Sequence, residues 1–258
     1  MSEILVLCYH AVSESWESEL AVTPDELERQ VAILIRRGYE PARFRDAVLE
    51  PSGRRTLAIT FDDAYRSVHR LAAPVLRHLG APAAVYAPTE WIGREQPMSW
   101  DGIDQWLGGP HESELVPMSW EELGELSELG WEVGSHTRTH PRLTQLDDEQ
   151  LRTELEESRA ACAAGLGRPC ETIAYPYGDV DERVVAAAGV AGYRAAGALP
   201  PAPHATEVLR WPRVGIYRWD GPIRFRLKAS PLVRRVRMLP VRRLLDPLGR
   251  MVRRKAAR

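Results

Sequence analysis

Leu57-Ala58-Ile59-Thr60-Phe61-Asp62-Asp63-Ala64 is an apolar run that stops at two adjacent carboxylates. A short run without polar alternation reads as a strand buried on both faces, as in a parallel sheet. Four other stretches share this form, at residues 4–8, 82–87, 131–134 and 172–175. Helix signals lie between them. Thr23-Pro24-Asp25-Glu26 sets a capping threonine before Pro at the first helical position and Glu at the third, opening an amphipathic stretch that ends near Gly38. Ser119-Trp120-Glu121-Glu122 repeats that logic, and Gly130 closes the helix. Further helices are expected at about 65–79, 147–165 and 180–189. The alternation predicts an α/β fold, either a barrel or a doubly wound sheet.

The 258 residues are 44% hydrophobic, enough for a real core, so disorder is not the expectation. The net charge of -2 hides an asymmetry: residues 224–258 hold 13 Lys/Arg against Asp246 alone, leaving residues 1–223 near -14. Cys8, Cys162 and Cys170 are an odd, widely spaced set, which excludes a structural zinc module or small disulfide scaffold and fits a reducing compartment. The opening MSEILVLCYH resembles a buried strand more than a signal peptide, and no run approaches the roughly 18 apolar residues of a membrane span. The expected location is the cytoplasm, extending to the inner face of its membrane.

The residues that bear chemistry stand at strand ends, where α/β folds place their sites. Asp62 and Asp63 leave their strand in different directions, so one can bind a metal while the other faces a water as base. His136 and His140 follow the apolar run at 131–134, and four-residue spacing puts both imidazoles on one face if the segment is helical. With a carboxylate from another strand end they form a two-His, one-Asp set with room for water. In Tyr175-Pro176-Tyr177-Gly178 a strand runs into a turn, where an N–H near Tyr177 can meet an oxyanion and the rings can shape an acyl pocket. His10 ends the first strand and is a candidate general acid, whereas His69, His78 and His111 sit in surface contexts.

The order TFDD at 60–63, H-T-x-x-H at 136–140 and YPYG at 175–178 resembles the NodB-like polysaccharide deacetylases, carbohydrate esterase family 4, over roughly residues 1–200. The resemblance implies a distorted (β/α) barrel with Asp62 as base and Asp63, His136 and His140 as ligands of a divalent metal. Zinc is the family's usual ion; Co2+, Mn2+, Fe2+ or Ni2+ suit the same ligands. The implied reaction is hydrolysis of an N-acyl, chiefly N-acetyl, group from an amino sugar, with metal-bound water as nucleophile. Two features depart from the family pattern. Ala174 and Tyr175 stand where an arginine often orients the base, and no L-x-H motif follows Tyr193. The early Leu5-Val6-Leu7-Cys8-Tyr9-His10 resembles instead the circularly permuted branch containing the poly-N-acetylglucosamine deacetylases, which gives His10 the leaving-group role. A deformylase or other amide hydrolase acting on a lipid-linked aminosugar is one alternative, and a non-catalytic carbohydrate-binding relative is another.

The Gly-, Pro- and Trp-rich segment between Glu90 and Pro117 reads as a lid whose indoles, Trp91 and Trp100 foremost, hold sugar, with Tyr175, Pro176 and Tyr177 as further contacts. The chain divides into a catalytic domain at 1–222 and a basic amphipathic tail at 223–258. Arginines interleaved with Leu232, Val236, Leu239, Leu244, Leu248 and Val252 suit an anionic membrane surface through residues 224–258. The scarcity of aromatic residues there argues against nucleic acid.

Overall fold

The structure, a computed structural model, describes residues 3–199 and 207–237, and the side chains among these up to residue 234. Among the described residues the strands are β1 (Glu3–Tyr9), β2 (Ala11–Val12), β3 (Ala21–Val22), β4 (Glu40–Ala42), β5 (Arg55–Phe61), β6 (Ala84–Ala87), β7 (Glu132–Ser135), β8 (Thr172–Ala174), β9 (Ala195–Ala198), β10 (Trp211–Pro212) and β11 (Val214–Gly215). Eight run in the order β10-β9-β8-β7-β6-β5-β1-β11, all parallel, with β4 beside the first half of β5. β10 pairs with β9 and β11 with β1, and only Arg213 separates them, so one bent segment nearly closes the sheet into a barrel.

The helices are α1 (Pro24–Arg36), α2 (Phe44–Leu49), α3 (Ala73–His78), α4 (Trp120–Glu128), α5 (Asp148–Leu166), α6 (Glu182–Val190), α7 (Pro222–Ala229) and α8 (Pro231–Arg237). Thr23 and Ser119 make the reciprocal capping boxes read from sequence. The helix expected at 65–79 is a π-turn at Val68–Ala72 running into α3. Pro74 has no N–H to give the carbonyl of Arg70, which loosens the winding there.

Strand alternation divides the core. Leu5, Leu7, Tyr9, Leu57, Ile59 and Phe61 face α1, α3 and α4, whereas Val6, Ala58, Ala84, Tyr86, Ala174 and Ala195 fill the narrow interior. Helix α2 contacts β1, β5 and β9, and Phe44 meets Tyr86 edge-on at 6.1 Å. That plug closes the end where the strands begin, leaving the end where they finish open. The first part of the segment expected as a tail forms α7 and α8; Phe225 and Ala229 join the barrel core, and residues 238–258 lie outside the described residues.

Candidate active site

Six strand ends converge on one cleft of about 280 Å³, lined among others by His10, Asp62, Asp63, His136, His140 and Tyr217. Ala58, Thr60 and Asp62 share the inward face of β5 and its extension. Inside the barrel Asp62 meets Arg213, whose two terminal nitrogens donate to Oδ1 at 2.6 Å and Oδ2 at 2.7 Å. The Cys8 thiol adds a bond to Oδ2 at 3.3 Å. Arg213 is fully buried, also donates to Thr60 Oγ1 and packs over the Tyr86 ring. Its stem passes where a side chain at Gly197 would stand: a Cβ there would lie 2.7 Å from Arg213 Cδ. Burial works to raise the Asp62 carboxyl, but the Arg213 charge and the hydrogen bonds that Arg213 donates overcome it and hold the group down at about 2.

Asp63 turns the other way because its backbone takes φ 68°. Its Oδ1 lies 3.3 Å from Nε2 of both His136 and His140. His136 Nδ1 pairs with the Ala174 carbonyl at 2.8 Å, which places the proton on Nδ1 and leaves Nε2 as a lone-pair donor. Three buried ligand atoms, from Asp63, His136 and His140, thus converge within 4.8 Å of one another. Four ligands placed tetrahedrally about 2.0 Å from a zinc-like ion stand about 3.3 Å apart, so this set fits such an ion.

The histidine segment is not helical, contrary to the reading that spacing suggested. Thr137 and His140 adopt φ 66° and 68°, folding the segment into a compact loop that brings the imidazoles together. Glu154 on α5 clamps this loop: its carboxylate accepts from Arg138 N at 2.8 Å, Thr139 N at 2.9 Å and Thr139 Oγ1 at 2.7 Å. Ser135 Oγ accepts from Thr137 N, and Thr137 Oγ1 from His140 N.

His10 lies on the cleft wall beside Tyr217, with Nδ1 unpaired, and it approaches Asp62 and Cys8. Trp100 stacks on His140 at 4.2 Å and forms the opposite wall with Tyr177. The other expected substrate contacts are set back. Tyr175 is fully buried and donates its hydroxyl to Leu209 O, because strand alternation turns it away from the cleft; Pro176 is buried below Tyr177. Trp91 backs Trp100 edge-on, and Trp106 packs on Trp16, so of the indoles read as a lid Trp100 alone lines the cleft.

Sequence reasoning missed Arg213, Glu154 and Tyr217. Arg213 carried a weak signal, a lone arginine between two short apolar pairs, Trp211-Pro212 and Val214-Gly215. It is the arginine that pairs with Asp62, a partner that the sequence near Tyr175 did not offer.

The architecture is that of the polysaccharide deacetylase (β/α) barrel. Residues 50–196 match the family described as polysaccharide deacetylase, more than half of the chain, which therefore belongs to that family. YxkH of Bacillus subtilis (strain 168), named among the polysaccharide deacetylases, is 27% identical over 199 residues, 75% of this chain and 63% of YxkH. The chain thus spans less than two thirds of that relative's length. In fold it is similar to the Streptococcus pyogenes deacetylase PplD, solved with acetate, at TM-score 0.72 and 20% identity over 89% of this chain and 99% of PplD. IcaB from Ammonifex degensii aligns at TM-score 0.67 and 21% identity over 89% of this chain and 98% of IcaB. His10 and Arg213 lie outside the matched span of 50–196.

Proposed function

We propose that the protein hydrolyses the N-acetyl group of an amino sugar. One observation carries the reading: two adjacent carboxylates at the floor of one cleft are partnered for different tasks, Asp62 by a bidentate arginine and Asp63 by two imidazoles. Family membership and the naming of YxkH as a deacetylase support it.

Asp63, His136 and His140 would hold a divalent ion, zinc by the imidazole-rich donor set, which supplies Lewis acidity to the acyl carbonyl and to water. Arg213 keeps Asp62 ionised and fixes the carboxylate plane, so that Asp62 accepts the proton of the attacking water. The Tyr177 turn, at φ 59°, faces the cleft and offers a backbone N–H to the oxyanion. His10, across the cleft, protonates the departing amine. We also read the chain as the permuted form, since His10 ends the first strand, β1, beside β5.

The test is acetate and formate release from N-acetylated chito-oligosaccharides and from a lipid-linked aminosugar, using chelated enzyme with and without zinc. Zinc-restored acetate release is expected, with loss of about 100-fold or more in Asp62→Asn. An Asp62→Asn protein of full activity and intact zinc binding would remove Asp62 as base, and formate in place of acetate would move the reading to a deformylase.

A further inference from the structure

Of the large apolar residues that face solvent, four fall within a short span: Trp219 at 64% exposure, Ile223 at 76%, Leu227 at 55% and Leu232 at 71%. Ile223 and Leu227 are one turn apart and share a face of α7, while Phe225 and Ala229 on its other side enter the core. Trp219 stands one step further toward the cleft. It sits in a tight turn in which Tyr217 N donates to Asp220 Oδ2 and Asp220 N to Tyr217 O, both at 2.9 Å. Tyr217 points into the cleft, Asp220 is buried, and the indole between them is left outside. An apolar row therefore begins at the mouth of the site and continues down the barrel wall.

The charge along this span is chiefly basic. Residues 218–237 contain seven Lys/Arg and a single acid, Asp220, which pairs with Lys228 and Arg224, while Arg234 pairs with Glu3 of β1. Residues 1–223 carry the opposite balance, near -14. A negatively charged surface attracts this face and repels the rest of the molecule, so attachment comes with a fixed orientation. A Trp at the boundary of an aliphatic row flanked by arginines suits the headgroup layer of a bilayer.

We propose that Trp219, Ile223 and Leu227 dock the enzyme on an anionic phospholipid surface, bringing the cleft mouth to headgroup level. The substrate class that follows is an N-acylated amino sugar carried on a membrane lipid. This second step rests on the deacetylase reading; the docking does not.

The experiment uses the full chain and sedimentation with vesicles of phosphatidylcholine alone or with 30% phosphatidylglycerol, a content chosen to give a negative surface of roughly physiological strength. Trp219→Ser/Ile223→Ser/Leu227→Ser is compared with wild type and with Val190→Ser, which alters a still more exposed apolar residue on α6; circular dichroism verifies folding. Expected are binding to anionic vesicles only, a loss of about tenfold or more in partitioning for the triple variant, and no change for Val190→Ser. Equal partitioning of triple variant and wild type would overturn the docking surface, as would equal binding to neutral vesicles. Absence of vesicle binding with a dimer dispersed by the triple variant would assign the face to a second copy instead. With soluble chito-oligosaccharide the triple variant should keep wild-type turnover, and with a vesicle-borne N-acetylglucosaminyl lipid it should lose about tenfold. Equal turnover on the lipid despite lost binding would overturn the substrate class. If wild type is inert on both substrates, the substrate class falls with the deacetylase reading, whereas sedimentation alone decides the docking.

Discussion

Replacing Glu154 separates the loop that carries the histidines from the barrel that supports it. Its carboxylate is the acceptor for three donors of residues 138 and 139, and the residue is 7% exposed. Glu154→Ala leaves two backbone N–H groups and a hydroxyl without their acceptor. Charge-assisted bonds contribute about 1.5–3 kcal/mol each and are not additive, so a total loss of about 3–5 kcal/mol is expected. Glu154→Gln is the informative partner. Its amide oxygen can accept both backbone N–H groups while its NH2 donates to Thr139 Oγ1, reversing one bond and breaking none; about 1 kcal/mol should be lost. The loop also sets the spacing of His136 and His140 from Asp63, so zinc affinity should fall about 10- to 100-fold in Glu154→Ala and stay within a few-fold in Glu154→Gln. Urea unfolding of the zinc-free protein gives the first quantity, and competition with a chromophoric chelator gives the second. Zinc affinity unchanged in a destabilised Glu154→Ala would refute the claim that the clamp positions the ligands.

Arg213→Lys keeps a charge beside Asp62 but loses the two-pronged bond, so kcat should fall with little change in KM for a soluble substrate. Arg213→Ala leaves a buried carboxylate unpaired and should destabilise the fold by about 3–5 kcal/mol in urea titrations. Gly197→Ala should reproduce the kinetic part of the Arg213→Lys defect without touching a charge, because the new methyl would fall 2.7 Å from Arg213 Cδ; unchanged kcat would show that the arginine can give way. At the closed end of the barrel, burial pushes the Glu132 carboxyl up to about 7 against the opposing bonds from Arg45 N and Thr172. A carboxyl raised on folding costs stability as it ionises, so the penalty is absent below about pH 4.5, grows toward pH 7 and is complete above it. Glu132→Gln should therefore gain on wild type by up to about 3 kcal/mol at pH 8, less for partial exposure, and by little at pH 4.5; a gain independent of pH would refute this.

Much of the barrel was legible because its strands are short apolar runs with turn residues between them. Residues 172–175 gave β8 to within one residue, and 57–60 gave the middle of β5, which runs from Arg55 to Phe61. The two-residue strands β10 and β11 offered no run long enough to read, yet they seat Arg213 and nearly close the sheet. The ligand candidates were legible from residue type and order. Their partners were not, because Glu154 lies in a helix rich in acids where nothing in the local pattern marks one as buried. Tyr175 was misplaced for a related reason: a turn motif names residues, and the pleat decides which of them turns inward.

Backbone conformation was the least legible level, and it is where the site differs most from the rest of the chain. Among the described residues the non-glycine positions with positive φ are Asp63, Ala64, Thr137, His140 and Tyr177, all in three of the segments that line the cleft. A left-handed backbone at such positions costs about 1–2 kcal/mol each, so together they strain the fold by an amount comparable with the stability of a whole domain. Glycine would relieve that cost and could ligate nothing. Asp63 and His140 need carboxylate and imidazole at those points, and the αL turn is what aims them away from the strand direction and at each other. Such strain persists only where neighbours over-determine it. The Glu154 clamp, the Ser135 and Thr137 hydroxyls and the Ala174 carbonyl behind His136 are those neighbours, which is why the residues that hold the loop matter to the chemistry as much as those that face the cleft.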